Sequence, residues 1–417
     1  MSETLPPRPV EPVAPEVQAA VAQATVASAR LLLVIQAAVF MVAAESRVIA
    51  PLLPAIAGEF ETSIAAAGLL ITAYTLPYGL FQLVYGPLAD RFSRQRVMGA
   101  ALSLFALGTL LSGIAPSLLL LNVLRLCAGA AAAGVIPVAL AYVGDAVPYA
   151  GRQAALGRIV SIAALGGVLS AALGGIIAVW ATWRVMFVGY GLLGLVVAAV
   201  LLRLPVAHSR VQVAPAPGIK GMFGAYQAIF RQAGGRASTL YLLVFLEGCT
   251  ATSTQGYLGG LLFERDHLSY AAIGGLLTLS GIASMLVAQF VGRLVVHLHE
   301  RGMLLLGGTL LALSYVIAAQ QPTFVFFPVA MLLGGAGFVI AHSTLQTRAT
   351  ELVPSMRGTA MALFAFALFL GSGLGTSLAG LAIDYAGYEP TLVGTAVALT
   401  GFTALSWPLL GWRATAQ

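Results

Sequence analysis

Four ionisable side chains stand inside long apolar runs: Glu45 and Arg47 in residues 30–56, Arg125 in 117–145 and Glu247 in 238–262. A charge held in hydrocarbon costs about 2.5–3.5 kcal/mol on insertion scales, so each needs a partner or a task. A buried acid beside a guanidinium stays ionised; without that neighbour it takes up a proton. A carboxylate moved between these surroundings therefore binds and releases protons. Glu45 is 15 residues past position 30 (45 − 30), about 22 Å along a helix. Arg125 is 8 residues past position 117 (125 − 117), about 12 Å from the other edge. In a core about 30 Å thick both fall in the same half, so they can meet. Two readings follow: a proton-coupling pair, or a static pair that fixes two helices. Arg47, two residues from Glu45, does not share its face. It reaches outward or supplies an alternative partner.

Glu247, in Leu246-Glu247-Gly248, reads as a second proton site or a contact for a cationic substrate. The competing reading is a hydrogen bond to Thr250 or Ser253. His342, followed by Ser343, Thr344 and Gln346, reads as a hydrogen-bonded packing histidine in preference to a proton relay.

The elements that hold these residues follow from composition. Apolar residues make up 59% of the 417 and charged ones 9%, which excludes a water-soluble domain. Runs of about 20 residues or more, each long enough to cross a bilayer, lie near 30–56, 64–86, 96–115, 117–145, 154–179, 183–204, 238–262, 269–293, 303–320, 324–349, 357–383 and 391–412. The expected fold is an all-α membrane protein of twelve transmembrane helices in two pseudo-symmetric six-helix bundles, 30–204 and 238–412. Residues 205–237 form a cytoplasmic linker. Residues 1–29, with five prolines, read as a disordered cytoplasmic tail whose last part, Gln18 to Ser28, can be helical, and 413–417 as a second tail.

Arginine sets the orientation. Arg91, Arg94, Arg96, Arg152, Arg348 and Arg357 fall in alternate short loops, which places those loops and both termini inside. The formal charge of +6 is therefore topological and implies no nucleic-acid partner. Cys127 and Cys249, both in apolar runs, form neither a disulfide framework nor a metal site. An internal repeat supports the two halves: Gly86 matches Gly292, and Arg125-x-x-x-Gly129 matches Met331-x-x-x-Gly335, each at an offset of 206. The second copy lacks the acid and the arginine of the first.

The loop Gly86-Pro-Leu-Ala-Asp90-Arg91-Phe-Ser93-Arg94-Gln-Arg96 resembles the pattern Gly-x-x-x-Asp-Arg-x-Gly-Arg-Arg/Lys between spans two and three of the major facilitator superfamily, with Ser93 where that pattern has its second glycine. In span five, Gly157, Gly166, Gly174 and Gly175 follow the spacing of the exporter motif of that superfamily. Ser170-Ala171 stands where Gly-Pro is usual. Trp183-Arg184-Val-Met-Phe187 resembles the entry to span six in the same group. The resemblance extends over most of residues 30–412 and implies the bacterial twelve-span drug:proton antiporter group. It further implies that Asp90 faces the start of span eleven, near Arg357, so that Gly86, Asp90, Arg91, Arg94 and Arg357 gate the conformational change. The competing reading of the loop is topology alone; that of the span-five glycines is generic packing.

These features point to a secondary active transporter, a proton-coupled exporter of small apolar or amphipathic molecules, and not to an enzyme. A proton symporter or facilitator for a sugar or organic anion is the alternative, and a non-transporting sensor is a third. No Gly-x4-Gly-Lys-Ser/Thr motif occurs, so an ion gradient is the expected energy source. The expected partners are a small-molecule substrate, protons and the lipid bilayer, with the chain a monomer in the bacterial inner membrane and no cofactor or metal.

Overall fold

A computed structural model describes residues 15–147, 149–205, 219–320 and 323–409. The side chains of residues 15–29 and of Asp90 fall outside that description, as does the tail from 410. Every regular element among the described residues is helical. The first half comprises α1 (Pro15–Glu59), α2 (Ile64–Arg91), α3 (Arg94–Ser112), α4 (Leu118–Ala132), α5 (Ile136–Ala146), α6 (Tyr149–Trp180) and α7 (Trp183–Arg203). Then come α8 (Ile219–Ala233), within the expected linker, and the second half: α9 (Gly235–Glu247), α10 (Leu258–Glu264), α11 (Tyr270–Ala288), α12 (Val291–Ala319), α13 (Thr323–Leu352), α14 (Arg357–Ala386) and α15 (Tyr388–Leu409).

Ten of these stretches are long and apolar enough to cross a membrane unaided. Where the sequence predicts an even span, spans four and seven are broken, and span eight ends early in a turn at Gln289–Phe290. Span four is α4 and α5 joined by a turn at Ala133–Val135, because Pro137 has no N–H to give the carbonyl a turn behind it and its ring crowds that carbonyl. Span seven runs α9, a π turn over Gly248–Thr252, a 3-10 turn over Thr254–Tyr257, then α10. The hydroxyls of Thr250, Thr252 and Ser253 each bond back to the carbonyl four residues earlier. Such back-bonding competes with the helix ladder and bends it. Helix α1 begins at Pro15, so the second part of the expected tail is helical; proline suits a first helical turn.

Tight loops are capped in the expected manner: Ser63 and Ser93 accept from the backbone N–H of Ala66 and Arg96. At Gly234 a φ of +56° turns the chain from α8 into α9. The α8 helix lies against α2, where the Tyr226 hydroxyl donates to the Leu83 carbonyl at 2.9 Å.

The halves meet along α2 with α14 and α6 with α11. The contact is closest at one end and extends past the middle, where Tyr78 of α2 packs edge-on against Phe369 of α14 at 4.6 Å. Away from the Arg91–Arg94 loop, Ser63 Oγ donates to Asp384 Oδ2 at 3.1 Å, and Thr72 Oγ1 to the Gly373 carbonyl at 3.1 Å. Tyr257 is buried in the same seam and donates to the Thr376 carbonyl. One apolar cluster there combines Ile64, Ala65 and Leu70 of the first half with Tyr257, Ala379 and Ile383 of the second. At the basic end the halves keep largely separate cores, and a side chain built on Gly86 or Gly358 would meet nothing within 4 Å. The molecule is thus sealed at the end opposite the basic loop and parted at the basic end.

Candidate functional site: two buried acid–cation pairs

Glu45 on α1 and Arg125 on α4 meet in a direct ion pair, both essentially without solvent exposure. The packing that brings them together is legible in small residues. Gly166 on α6 lies against the Phe40 carbonyl and lets α1 approach closely. Gly129, one turn from Arg125 on the same face of α4, lies against the backbone of Tyr74. With α2 that close, the Tyr74 ring covers the guanidinium at 4.3 Å, and Phe187 of α7 stands on it at 5.6 Å. A guanidinium between aromatic rings gains a cation–π attraction that grows as water is removed. Glu45 Oε2, Arg125 Nε and the Tyr74 hydroxyl are buried without a hydrogen-bond partner.

A second pair occupies the other half. Glu247, the last residue of α9, receives His342 Nδ1 of α13 at 3.2 Å on Oε2. Phe338 stacks on the imidazole at 4.9 Å between centroids, and Phe364 of α14 stands edge-on at 5.2 Å. Glu247 is fully buried, whereas the His342 side chain is 20% exposed. Thr250 and Ser253 turn to their own helix carbonyls, so the partners offered as an alternative for Glu247 are not realised. His342 is hydrogen-bonded and packed between rings, as the packing reading expects.

The other predicted residues separate. Arg47 is exposed, with its stem near Gly167 of α6. Gly174 faces Val48 on α1, while Gly175 meets Tyr270 and Gly274 of α11 across the seam. Gly157 meets nothing within 4 Å, so its expected packing role is not realised: it lies on the α6 segment toward the parted end. In the basic loop Arg94 pairs with Asp145 of α5 at 2.9 Å, and Arg91 lies over the Phe92 ring. Asp90 is in the last turn of α2, with its side chain outside the described residues, and Arg357 is exposed. Arg184 bonds Glu59 and the carbonyls of Gly113 and Ala115, tying α7 to α1 and the α3 end. No cluster of metal-binding side chains occurs among the described residues. A cavity of about 330 Å³ lies apart from both pairs, between span seven, α14 and α15, lined by Thr250, Thr254, Thr391 and Thr395 among others.

The family model of the Major Facilitator Superfamily matches residues 36–376 and 240–415. The chain belongs to the Major Facilitator Superfamily. The MFS-type transporter YceJ of Bacillus subtilis is 28% identical over 378 residues, covering 88% of this chain and 90% of its own. The efflux pump aflT of Aspergillus parasiticus is 33% identical over 194 residues, 45% of this chain and 38% of its own. Among solved structures, the nucleoside transporter NupG superposes with a TM-score of 0.75 at 12% identity, covering 92% of this chain and 100% of that one. That likeness shows the fold. The protein is a multi-pass transporter of this superfamily and not an enzyme.

Proposed function

We infer that this transporter is a proton-coupled exporter of small apolar or amphipathic molecules, working by alternating access in the bacterial inner membrane. The observation that carries the reading is the pair of carboxylates, Glu45 and Glu247, held without exposure on equivalent spans of the two halves. Such groups are costly to bury and mark ion pathways by default. Export is supported by the likeness to an efflux pump over part of the chain and by the exporter-like glycine spacing of span five. The basic loops belong on the cytoplasmic side, which makes the parted end the inner one. Bundles 30–204 and 238–412 then rock about a central cleft, with Asp90 and Arg357 approaching as the inner end closes. The partners are protons, a small molecule and lipid, and the chain acts as a monomer.

A second reading has one observation in its favour: Arg47 offers an exposed cation next to the buried pair, as uptake of an organic anion would use. Everted vesicles separate the two. With the lumen made acidic, adding an amphipathic substrate outside should release lumenal protons. Proton uptake into the lumen on adding organic anions would favour the second reading, and silence across both classes would sink proton coupling.

A further inference from the structure

The two buried pairs differ in what a proton does to them. An arginine keeps its proton in proteins, so the Glu45–Arg125 pair is neutral only while Glu45 is ionised. Adding a proton leaves a bare guanidinium between the rings of Tyr74 and Phe187, in a site that is 1% exposed or less. That pair resists protonation. A histidine gives up its proton readily. The Glu247–His342 pair is therefore neutral when it holds one proton, as carboxylate with imidazolium or as carboxylic acid with imidazole. Removing that proton leaves a lone negative charge that hydrocarbon surroundings disfavour.

We propose that Glu247 and His342 form the exchange site of the transporter, holding either one proton or the cationic group of an organic substrate. This rests on the proton-coupled reading above and assigns its proton to the second half. Three further observations support it. Glu247 Oε1 is buried and has no partner, so the carboxylate has bonding capacity left for a cation. The neighbouring rings of Phe338 and Phe364 are the surfaces on which ammonium-type cations dwell. The chain also leaves α-helical geometry at the residue after Glu247, in a π turn, a distortion frequent at functional sites. His342, the exposed member, is the way in and out for the proton; the enclosed Glu247 is its store.

The groups around the site leave the titration to this pair. Within one turn of Glu247, His342 or Phe364 on their own helices, the Cys249 thiol is the one other titratable group. Tyr241, six residues before Glu247, donates its hydroxyl to the Ala360 carbonyl. Arg348, six residues after His342, is paired with Glu300. Arg357 stands two turns before Phe364, at the start of α14. The exchange balances: the cation enters the pair as one proton leaves for water, and the net charge of the site stays at zero.

The test uses purified full-length protein in detergent, weakly buffered, with tetraphenylphosphonium as the probe cation. Wild-type protein should release protons stoichiometrically on binding it, and E247Q should lose the release. Release that persists in E247Q overturns the assignment, as does a wild type that binds nothing or binds without release. A second measurement needs no variant. In 15N spectra of the wild type, the probe should discharge one imidazolium among the five histidines; unchanged histidine signals overturn the proposal. Vesicles that show no exchange while the detergent protein releases protons would refute the exporter reading and leave this site standing.

Discussion

Arg125 is the largest fully buried side chain among the described residues, and its environment makes clear forecasts. Breaking a buried ion pair from one side leaves an uncompensated charge and costs about 3–5 kcal/mol. Glu45→Gln should therefore lower thermal stability in detergent strongly and abolish transport. The double change Glu45→Leu with Arg125→Leu should recover most of the stability and none of the transport. Thermal unfolding of the three proteins checks this; a double variant as unstable as the single one would remove the charge argument. Both members of this pair were legible in the sequence, because a charge inside an apolar run announces itself by its cost, and helical rise alone set their depths alike. The Glu247–His342 contact was not legible. It depends on how α9 and α13 lie together, which no spacing within one helix encodes. Tyr74 was hidden for the same reason, since an aromatic residue in an apolar span carries no signal until its neighbour is known.

At the scale of the helices, glycines decide which surfaces touch. Gly175 and Gly274 face each other across α6 and α11, each against backbone of the other helix, and a backbone cannot yield as a flexible side chain can. Gly274→Val should disfavour the sealed arrangement. Disulfide cross-linking of cysteines placed at Ala65 and Ala379 would then fall well below that of the parent, and undiminished cross-linking would refute the tight fit. Gly157→Ala is the contrast. It meets open space, so stability should change by no more than the helix propensity gain of about 1 kcal/mol. The spans themselves were readable from apolar length. The break in span seven was less so: its composition is continuously apolar, and only the cluster Gly248, Thr250, Thr252 and Ser253 hinted that side-chain hydroxyls would compete for the helix carbonyls.

Across the whole molecule, the sealed end carries a pH sensitivity of its own. Beyond the outer end of span seven, burial holds the Glu264 carboxyl above the usual carboxylate range. The Tyr388 hydroxyl beside it pulls the other way, and Asp384 adds a smaller push upward. When the end opens, Glu264 gains water and returns toward its ordinary value. The sealed state therefore binds the proton more tightly. Its advantage is full below the ordinary glutamate value and is lost as pH rises through the raised one. Cross-linking across the seam should increase on acidification and lose that dependence in Glu264→Gln; a variant with the parent's pH profile would assign the effect elsewhere. The bonds named at this seam run from hydroxyls to carbonyls, each worth about 0.5–1.5 kcal/mol, and from Ser63 to the Asp384 carboxylate, worth about 1.5–3 kcal/mol; no ion pair crosses it among those named. The ion pairs Glu45–Arg125, Glu59–Arg184 and Glu300–Arg348, and the Glu247–His342 contact, each stay within one half. Dissolved ions weaken attractions between charges and leave neutral bonds nearly untouched. Added salt should accordingly leave the frequency of opening at this face almost constant, while bilayer thickness, which presses on the packed helices, should alter it.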